Sequence, residues 1–402
     1  MTRQPSLAIA MVGTRGVPAH YGGFETCVEE VGSRLAARGH RVVVYCRSSA
    51  DEATSRPAEH LGMELVHLPA VPRRSLETLS HTAASVAHLA TRGADVALVF
   101  NAANAPLLPV LRARRIPVAT HVDGLEWLRS KWGPVGRRYY RAAEALAVRW
   151  SDAVIADAQG IADYYLAEFS APTTLIAYGA PIIDPALDRL AELGLRPHGY
   201  HLLVARFEPE NNIHLVLEGY RDSAARLPLV VVGSAPYSDA YTAHLHGLGD
   251  DRVRFLGGVW DAELLDQLYA GCCTYLHGHS VGGTNPSLLR AIGAGAPTIA
   301  FDVVFTHDVL GTAGVYFADG AGVRAALEDA ERDEPGRRAR GERLRERARD
   351  YRWDDVADGY EDLCRRLAAA PPAQRPSGRR APRPAGAAAP ARTAVTVAGH
   401  VG

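Results

Sequence analysis

One glycine-rich segment, which follows the apolar run Cys273–Leu276, holds residues suited to binding a phosphate group. Pro286 suits the first turn of a helix, so the segment ends at a helix N-terminus, where free backbone N–H groups stabilise an anion. Glycines also let the backbone approach a phosphate closely. The candidate binding residues are His279, Gly282, Gly283, Thr284 and Asn285. A plain strand-to-helix turn, capped by Asn285 or Thr284, is the alternative interpretation.

Two histidines of this segment, His277 and His279, have side chains that could also bind a metal ion. No third ligand lies near them in the sequence, whereas protein zinc sites use three or four ligands. We therefore expect no metal and no cofactor.

A second candidate phosphate loop follows the predicted strand Leu7–Val12. The glycine pair Gly22 and Gly23 comes just before a helix that begins near Glu25, so its backbone could approach a phosphate at that helix N-terminus. The spacing is not Gly-x-Gly-x-x-Gly, so a dinucleotide cofactor is unsupported. Glycine at such a turn is also common for steric reasons alone.

Acidic and histidine side chains stand at the end of another predicted strand, Pro117–His121. His121, Asp123 and Glu126 could orient an acceptor hydroxyl or transfer a proton. The competing interpretation is that Asp123 caps a helix and Trp127 packs in the core.

Arg206 closes the predicted strand Tyr200–Ala205. An arginine at a strand end that faces a cleft is well placed to neutralise a diphosphate. A salt bridge with Glu208 or Glu210 is the alternative use of this side chain.

These residues need a scaffold, and short apolar runs alternate with helix-period segments along most of the chain. The predicted strands are Leu7–Val12, Val42–Tyr45, Glu64–Leu68, Val96–Phe100 and Pro117–His121, then Tyr200–Ala205, Leu229–Gly233, Val253–Leu256, Cys273–Leu276 and Thr298–Phe301. Predicted helices between them include Glu25–Arg38 and Ala262–Ala270. This alternation predicts an α/β fold with two doubly wound, Rossmann-like domains, which face a central cleft at the carboxyl ends of their strands.

The break between the two units falls near Ile182–Tyr200. We expect a first domain over 1–185 and a second over 186–345. A C-terminal helix over 346–368 is expected to cross back to the first domain. From 369 to 402 the chain is rich in Ala, Pro and Arg without an acid, which predicts a disordered tail.

The composition limits the class of protein. The chain has 402 residues, 47% hydrophobic and 22% charged, which suits a two-domain globular enzyme. A net charge of -1 gives no basic field for nucleic acid, and the five cysteines show no ligand spacing or disulfide framework. No stretch approaches the roughly 20 apolar residues of a membrane span. We expect a cytoplasmic protein, with peripheral contact of its tail at the inner face of the plasma membrane as an alternative to a passive tail.

With these segments in hand, the chain resembles the retaining GT-B glycosyltransferases of family 4. More narrowly, it resembles their rhamnosyltransferase-like branch, whose N-terminal domain was long of unknown function. The matching segments, in order over about residues 6 to 367, are VGTRGVPAHYGGFET, ETLSHT, NAANAP, VDGLEWLRSKWG, ADAQGIADYY, IAYGAP, VARFEPENN, GHSVGGTNPSLL and YRWDDVADGYEDL.

The resemblance implies that the first domain, 1–185, lies on the acceptor side and that the second, 186–345, binds the nucleotide-sugar donor. It also implies roles for several positions. Gly22 and Gly23 would form the donor-phosphate loop of the first domain, and Arg206 would hold the diphosphate. Asp123 falls at or beside the position where relatives often have an active-site histidine, with His121 two residues earlier. The loop from His279 to Asn285 would cradle the transferred sugar and the phosphates. Such enzymes are thought to retain anomeric configuration by a same-face route, in which the leaving phosphate helps to deprotonate the acceptor.

The sequence departs from the family pattern at three places. The lysine usually found five residues after Arg206 is Asn211, and the usual glutamate pair falls on Gly282 and Arg290. The narrower branch tends to lack the first glutamate and that lysine. The second glutamate commonly accepts the ribose hydroxyls, whereas arginine cannot accept a hydrogen bond. Ribose binding, the donor or the level of activity is therefore expected to differ.

The leading hypothesis is a retaining, metal-independent transfer of a hexose from a nucleotide-diphosphate sugar, with dTDP-L-rhamnose as one candidate. The acceptor would be a cell-envelope polysaccharide, a lipid-linked sugar or a natural product. No Asp-x-Asp triplet occurs in the chain, which disfavours the metal-dependent single-Rossmann transferases.

Two alternatives keep the fold and change the activity. A sugar-nucleotide epimerase needs paired acids in the cleft, for which only Asp123 and Glu126 are obvious. A catalytically lapsed partner protein that binds nucleotide sugars is supported by Arg290 alone. A dinucleotide-dependent oxidoreductase is disfavoured by the glycine spacing.

Overall fold

Two parallel sheets form one after the other along the chain, as the restarting alternation of strands and helices predicts. This computed structural model describes residues 5–19, 22–48, 56–71, 76–122, 124–129, 131–234 and 239–370. Most of the predicted tail, residues 371–402, lies outside the described residues, as does Asp123.

The first domain contains eight strands and five α-helices within the described ranges. The strands are β1 (Ala8–Val12), β2 (Arg41–Ser48), β3 (Glu59–His60), β4 (Met63–Pro69), β5 (Val96–Phe100), β6 (Val118–His121), β7 (Ala153–Ala156) and β8 (Thr174–Leu175). The helices are α1 (Gly23–Ala37), α2 (Glu77–Arg92), α3 (Leu108–Ala113), α4 (Pro134–Trp150) and α5 (Gln159–Phe169).

The rest of the described chain contains six strands and eight α-helices. The strands are β9 (His201–Val204), β10 (Leu229–Val232), β11 (Val253–Gly257), β12 (Thr274–His277), β13 (Thr298–Phe301) and β14 (Val315–Phe317). The helices are α6 (Ile213–Arg221), α7 (Asp239–Leu248), α8 (Ala262–Ala270), α9 (Pro286–Gly293), α10 (Val304–Leu310), α11 (Gly320–Arg332), α12 (Glu334–Ala348) and α13 (Trp353–Ala369).

The strand orders confirm two doubly wound sheets. The first sheet runs β3-β4-β2-β1-β5-β6-β7-β8 and the second β11-β10-β9-β12-β13-β14. All pairs are parallel except β3 with β4, which is antiparallel. Continuous apolar strands such as LVVV in β10 are buried throughout, because helices cover both faces of a parallel sheet. The sequence analysis missed β3, β7, β8 and β14, which have two to four residues each and carry little periodicity.

Each sheet reverses its strand order at a central strand. In the first sheet β1 lies between β2 and β5, and in the second β9 lies between β10 and β12. Loops that leave neighbouring strands at such a switch point diverge to opposite faces and open a crevice at the carboxyl ends. The loops after β1, β5, β9 and β12 therefore face the space where a ligand is expected.

The C-terminal helix differs from its predicted bounds. Residues 346–348 end α12, and a new helix, α13, begins at Trp353. It packs against α1 of the first domain, where Arg34 Nε lies 3.0 Å from Asp354 Oδ1 and Arg38 Nη1 lies 2.8 Å from Glu361 Oε2. The apolar stripe of the predicted helix is buried in this interface: Trp353, Val356, Tyr360, Leu363 and Leu367.

The chain crosses between the domains twice, and both crossings are hydrogen-bonded. The backbone N–H of Ala180 donates to the Tyr351 carbonyl at 2.6 Å, just before α13. The N–H of Ile183 donates to the Gly293 carbonyl at 3.1 Å, at the end of α9. Residues 180–183 of the first crossing belong to neither sheet and are called the crossing strand. They are therefore fixed both to α9 and to the segment before α13.

We expect Gly293→Ala to destabilise the protein, because an added Cβ would overlap the carbonyl oxygen of Pro181 in the crossing strand. Overpacking of this kind costs about 1–3 kcal/mol of unfolding free energy, measurable by urea denaturation. Gly247→Ala is the matched control, since Gly247 also lies in a helix and its Cβ would meet nothing within 4 Å. The control should be neutral or slightly stabilising. Equal stability of the two variants would contradict this close packing.

Candidate active site

A cleft of about 900 Å³ lies between the carboxyl edges of the two sheets. Its second-domain wall is formed by the loops after β9, β10, β11 and β12 and by the start of α9. Its first-domain wall is formed by the loops after β1, β5 and β6 and by the starts of α1, α2 and α4. Of the predicted site residues, the cleft is lined by Gly22, Gly23, Glu126, Arg206, His279, Gly282, Gly283, Thr284, Asn285 and Arg290.

The start of α9 has the geometry of an anion site. Asn285 caps the helix, because its Oδ1 accepts from the backbone N–H of Ser287 at 2.9 Å and from Ser287 Oγ at 2.7 Å. Pro286 occupies the first turn, as predicted. The positive end of the helix dipole thus opens into the cleft beside Gly282 and Gly283, and it favours negative charge there.

The same loop contacts the first domain directly. Thr284 Oγ1 donates to the Asp157 carbonyl at 2.6 Å. A Cβ on Gly283 would overlap the Asp157 carboxylate, and a Cβ on Gly124 would overlap the backbone of Gly282. Glycine is therefore required at both positions, because the first domain leaves no room for a side chain there.

His279 projects into this site as a neutral ring. It stacks on His277 with ring centroids 4.3 Å apart, and its Nδ1 is buried with no hydrogen-bond partner among the described residues. Burial, the neighbouring His277 and the charges of Arg206 and Arg129 hold the pKa of His279 well below its usual range. Its next neighbour Ser280 is tied to the Glu210 carbonyl, with Oγ at 2.8 Å.

Arg206 and Asn211 are placed differently although both were predicted to bind the donor. Arg206 lines the cleft with a side chain that is 40% exposed, and its Nη2 lies 3.5 Å from Glu208 Oε2. The side chain of Asn211 is buried behind the loop and is absent from the described cleft lining. Its Nδ2 donates to the Arg206 carbonyl at 2.7 Å, so it positions the arginine instead of facing the cleft.

Glu126 belongs to a dense charge cluster. Its carboxylate lies 2.6 Å from Arg129 Nε and 2.8 Å from Lys131 Nζ, and it accepts from Trp132 Nε1 at 3.2 Å. Burial alone would raise the pKa of Glu126, but the charges of Arg129 and Lys131 outweigh burial and lower it. A carboxylate held ionised by two cations is a poor general acid, and its oxygens are already engaged.

His121 lies in the core and outside the described cleft lining. It is 1% exposed, and its Nδ1 lies 2.7 Å from the Tyr360 hydroxyl of α13. Phe24, Phe100 and Tyr178 surround the ring, and burial lowers its pKa to about 3. This position gives His121 no access to a ligand in the cleft and corrects its predicted place in the site; its strand-end position alone could not show that α13 covers it.

Arg290 reaches the cleft wall but is held by a neighbouring helix. Its Nη2 lies 2.6 Å from Asp266 Oδ1 in α8, and the same group donates to the Ala262 carbonyl at 3.2 Å. The arginine thus has a structural partner that the sequence did not reveal.

Sequence analysis missed several charged residues of the first-domain wall, including Arg15, Glu25, Arg47, Glu77 and Arg129. Arg47 lies at the carboxyl end of β2 and Glu77 begins α2, so a strand-end and helix-start pattern was available for both. The clustering of these residues depends on strand order, which only the sheet shows.

Two family matches cover most of this architecture. Residues 22–179 match the Glycosyl transferase 4-like domain, and residues 199–332 match the Glycosyl transferases group 1 domain. The chain belongs to the GT-B glycosyltransferases. In this glycosyltransferase, the boundary between the two matches coincides with the crossing strand and the start of β9.

Similar proteins agree with this assignment. O-antigen chain mannosyltransferase B of Escherichia coli is 29% identical over 153 residues, a match that spans 36% of this chain and only 40% of the length of that relative. Sucrose-phosphate synthase from Thermosynechococcus elongatus has a TM-score of 0.78 at 21% identity, covering 90% of this chain and 99% of that one. Anabaena Alr3699/HepE in complex with UDP has a TM-score of 0.72 at 18% identity, covering 90% and 100%. These structural likenesses establish the fold.

The described residues include neither a cluster of metal ligands nor a membrane-spanning helix. No three His, Cys, Asp or Glu side chains converge there as a possible metal site. No helix in that part of the chain has the length and apolar character needed to cross a membrane.

We expect Thr284→Val to loosen the contact between the domains, because it removes the hydroxyl that donates to the Asp157 carbonyl. Leaving a buried carbonyl without its donor costs about 1–3 kcal/mol, which denaturant unfolding would measure. Thr312→Val is the control, since Thr312 is exposed and surface changes lie within about 0.5 kcal/mol. A loss no larger than that of the control would show that this bond does not join the domains.

Proposed function

We propose that this glycosyltransferase transfers a hexose, with rhamnose as the leading candidate, from a nucleotide-diphosphate donor with retention and without a metal. The observation that carries the proposal is the start of α9, where a capped helix N-terminus and two glycines open into the cleft near Arg206. Helix N-termini and arginine are the protein's metal-free means of holding a diphosphate. The binding of UDP by Anabaena HepE and the mannosyl transfer named for the E. coli relative support a nucleotide-sugar donor.

In the proposed reaction, negative charge develops on the leaving diphosphate. The bond between the anomeric carbon and the diphosphate oxygen breaks, and its electron pair stays on that oxygen. The helix N-terminus and Arg206 stabilise the new charge. The acceptor oxygen bonds the anomeric carbon on the same face, and its proton passes to the leaving diphosphate.

Retention by this route needs no carboxylate nucleophile. Of the two predicted acids, Asp123 and Glu126, the structure describes Glu126, and two cations already engage its carboxylate. An epimerase, which needs acids free to exchange a proton, is therefore less well supported than a transferase. All five cysteines are buried thiols, which supports the cytoplasm as the proposed location.

The first-domain wall favours a hydroxyl-rich acceptor. Arg47 has a side chain that is 12% exposed, with Nη1 3.3 Å from Glu77 Oε2 and Nη2 donating to Thr78 Oγ1 at 2.9 Å. Its Nε has no partner among the described residues. A Glu25 oxygen accepts from the Arg15 backbone N–H at 3.0 Å. Two arginines and two glutamates balance in charge, so donors and acceptors are offered to a neutral sugar residue instead of a phosphate.

Aromatic rings complete this wall. Trp132 and Tyr140 have ring centroids 4.8 Å apart, and Tyr139 packs beside Tyr140 at 5.8 Å. All three line the cleft next to the charged residues. Such rings provide apolar faces for a sugar ring. We therefore propose a saccharide acceptor, whether part of a polysaccharide or linked to a lipid or natural product.

The donor prediction is tested by calorimetry and thermal shift with UDP, GDP, dTDP and their sugars, with and without EDTA. We expect one nucleotide class to bind at micromolar strength and raise the melting temperature, indifferent to EDTA. Arg206→Met should weaken diphosphate binding about tenfold or more, because a charge-assisted bond is lost. NMR of the product should show the anomeric configuration of the donor.

Other outcomes have defined meanings. Binding that requires a metal would contradict metal independence. Absence of binding by any nucleotide would contradict the proposed donor, and Arg290→Glu would then be tested for a gain of binding.

The acceptor prediction compares two arginines of the same strand. We expect Arg47→Met to raise the acceptor KM about tenfold and leave the donor KM within about twofold, because it removes donors to the acceptor alone. Arg41→Met is the control, since Arg41 lies at the other end of β2 in a surface pair with Glu64. Steady-state kinetics on sugar acceptors measures both values. Equal effects of the two variants, or a change in donor KM alone, would contradict the saccharide subsite.

A further inference from the structure

One arginine crosses from the first domain into the donor side of the cleft. Arg129 follows the short 3-10 turn Glu126–Leu128, and it is 9% exposed although it lines the cleft. Its Nη1 lies 3.3 Å from Glu208 Oε2 and 3.7 Å from Glu210 Oε1, both in the second domain. Among the predicted site residues of the first domain that the structure describes, none has a recorded ion pair with the second domain.

Arg129 meets Arg206 at a single oxygen. Arg206 Nη2 lies 3.5 Å from Glu208 Oε2, the same atom that Arg129 Nη1 contacts at 3.3 Å. Two guanidinium groups that share one carboxylate oxygen are close enough to share a phosphate oxygen in its place. The neutral His279 ring is near both charges, since each of them lowers its pKa.

The second domain supplies few other cations at this place. Asn211 occupies the position of the usual lysine, and its amide is used on the Arg206 carbonyl. Arg290, the other arginine of the second-domain wall among the described lining residues, is held by Asp266. A diphosphate gains negative charge when it accepts the electron pair of the broken bond. With Arg206 as the one arginine present, the helix N-terminus would have to stabilise most of that charge.

We propose that Arg129 is the second cation of the diphosphate site, a catalytic residue that contacts the leaving diphosphate from the first domain. This inference rests on the proposed transfer. As the anomeric carbon–oxygen bond breaks, the electron pair moves onto a diphosphate oxygen shared by Arg129 and Arg206. The acceptor oxygen forms the new bond, and its proton leaves with the diphosphate.

The surroundings of Arg129 fix its orientation. Glu126 Oε2 holds its Nε at 2.6 Å, while Lys131 and Trp132 hold the other oxygen of Glu126. Glu126 and Lys131 are therefore positioning residues that act through Arg129. This arrangement gives the buried carboxylate a role other than proton transfer.

Placing the second cation on the opposite domain has a consequence for catalysis. The diphosphate receives both charges only while the two domains are together, so bond cleavage requires the closed cleft. The donor is thereby protected from hydrolysis before the acceptor domain is in place.

The rival explanation is that Arg129 is only a bridge between the domains. A bridge would be weakened equally by removing the arginine or a partner carboxylate. The diphosphate role depends on the arginine alone, and Glu210 offers a matched variant because its side chain lies 3.7 Å from Arg129.

The experiment measures binding of the nucleoside diphosphate, monophosphate and nucleoside of the class found by calorimetry, together with kcat. We expect Arg129→Met to weaken the diphosphate at least tenfold and the nucleoside less than twofold, with kcat reduced about a hundredfold. Arg129→Lys should recover part of both losses. Glu210→Gln should bind the diphosphate no more weakly than the unaltered protein. Melting temperatures establish that each variant is folded.

Either of two patterns of loss overturns the inference. One is an equal loss for diphosphate and nucleoside in Arg129→Met, and the other is a loss in Glu210→Gln that matches it. If the unaltered protein binds no nucleoside diphosphate, the proposed function fails and the inference with it. Normal binding by both the unaltered protein and Arg129→Met, with unchanged kcat, overturns the inference alone.

Discussion

The rest of the site depends on the close approach of the two domains at Gly124, Gly282 and Gly283. A side chain at Gly124 or Gly283 would overlap the opposite domain, and Thr284 adds a hydrogen bond to the Asp157 carbonyl across the gap. This approach brings the N-terminus of α9 against the first domain. The cleft lies beside this contact. Its second-domain wall offers hydrogen-bond donors to a phosphate, and its first-domain wall contains paired arginine and glutamate side chains.

Charge in this cleft is arranged so that carboxylates hold cations. Glu126 orients Arg129, Glu208 lies between Arg129 and Arg206, and Asp266 holds Arg290. Neutral histidine rings and a helix dipole complete the donor side. A low-dielectric site of this kind stabilises an anion by fixed dipoles and cations, which need no rearrangement as charge develops. In the proposed function this anion is the departing diphosphate, which itself takes the proton of the acceptor.

The two chain crossings connect this cleft to the far side of the molecule. The crossing strand is bonded at Ala180 to the segment before α13 and at Ile183 to the end of α9. α13 in turn packs on α1, whose first residues Gly23 and Phe24 line the cleft. The two crossings are the covalent links between the sheets in the described chain. Movement of one domain relative to the other therefore affects α9 and the segment before α13, to which the first crossing is hydrogen-bonded.

The sequence by itself determined the fold and the local form of the glycine-rich loop before α9. Apolar runs separated by helix-period segments predict two parallel sheets, and the cap and proline of α9 are set by neighbours in the chain. Arg206 was found because it closes a strand. In each case the signal is local, and residues a few positions apart decide the conformation.

Only the tertiary structure decided how the remaining side chains are used. Arg129 and Glu208 are 79 positions apart, and His121 is covered by Tyr360, 239 positions away. The partner of Arg290 lies on another helix, and Asn211 turns away from the cleft. Burial and pairing of this kind arise from the packing of distant elements, because local periodicity indicates which face of an element is buried but not which distant residue meets it. The type of each residue was visible in the sequence, and its surroundings were set by the meeting of the two domains.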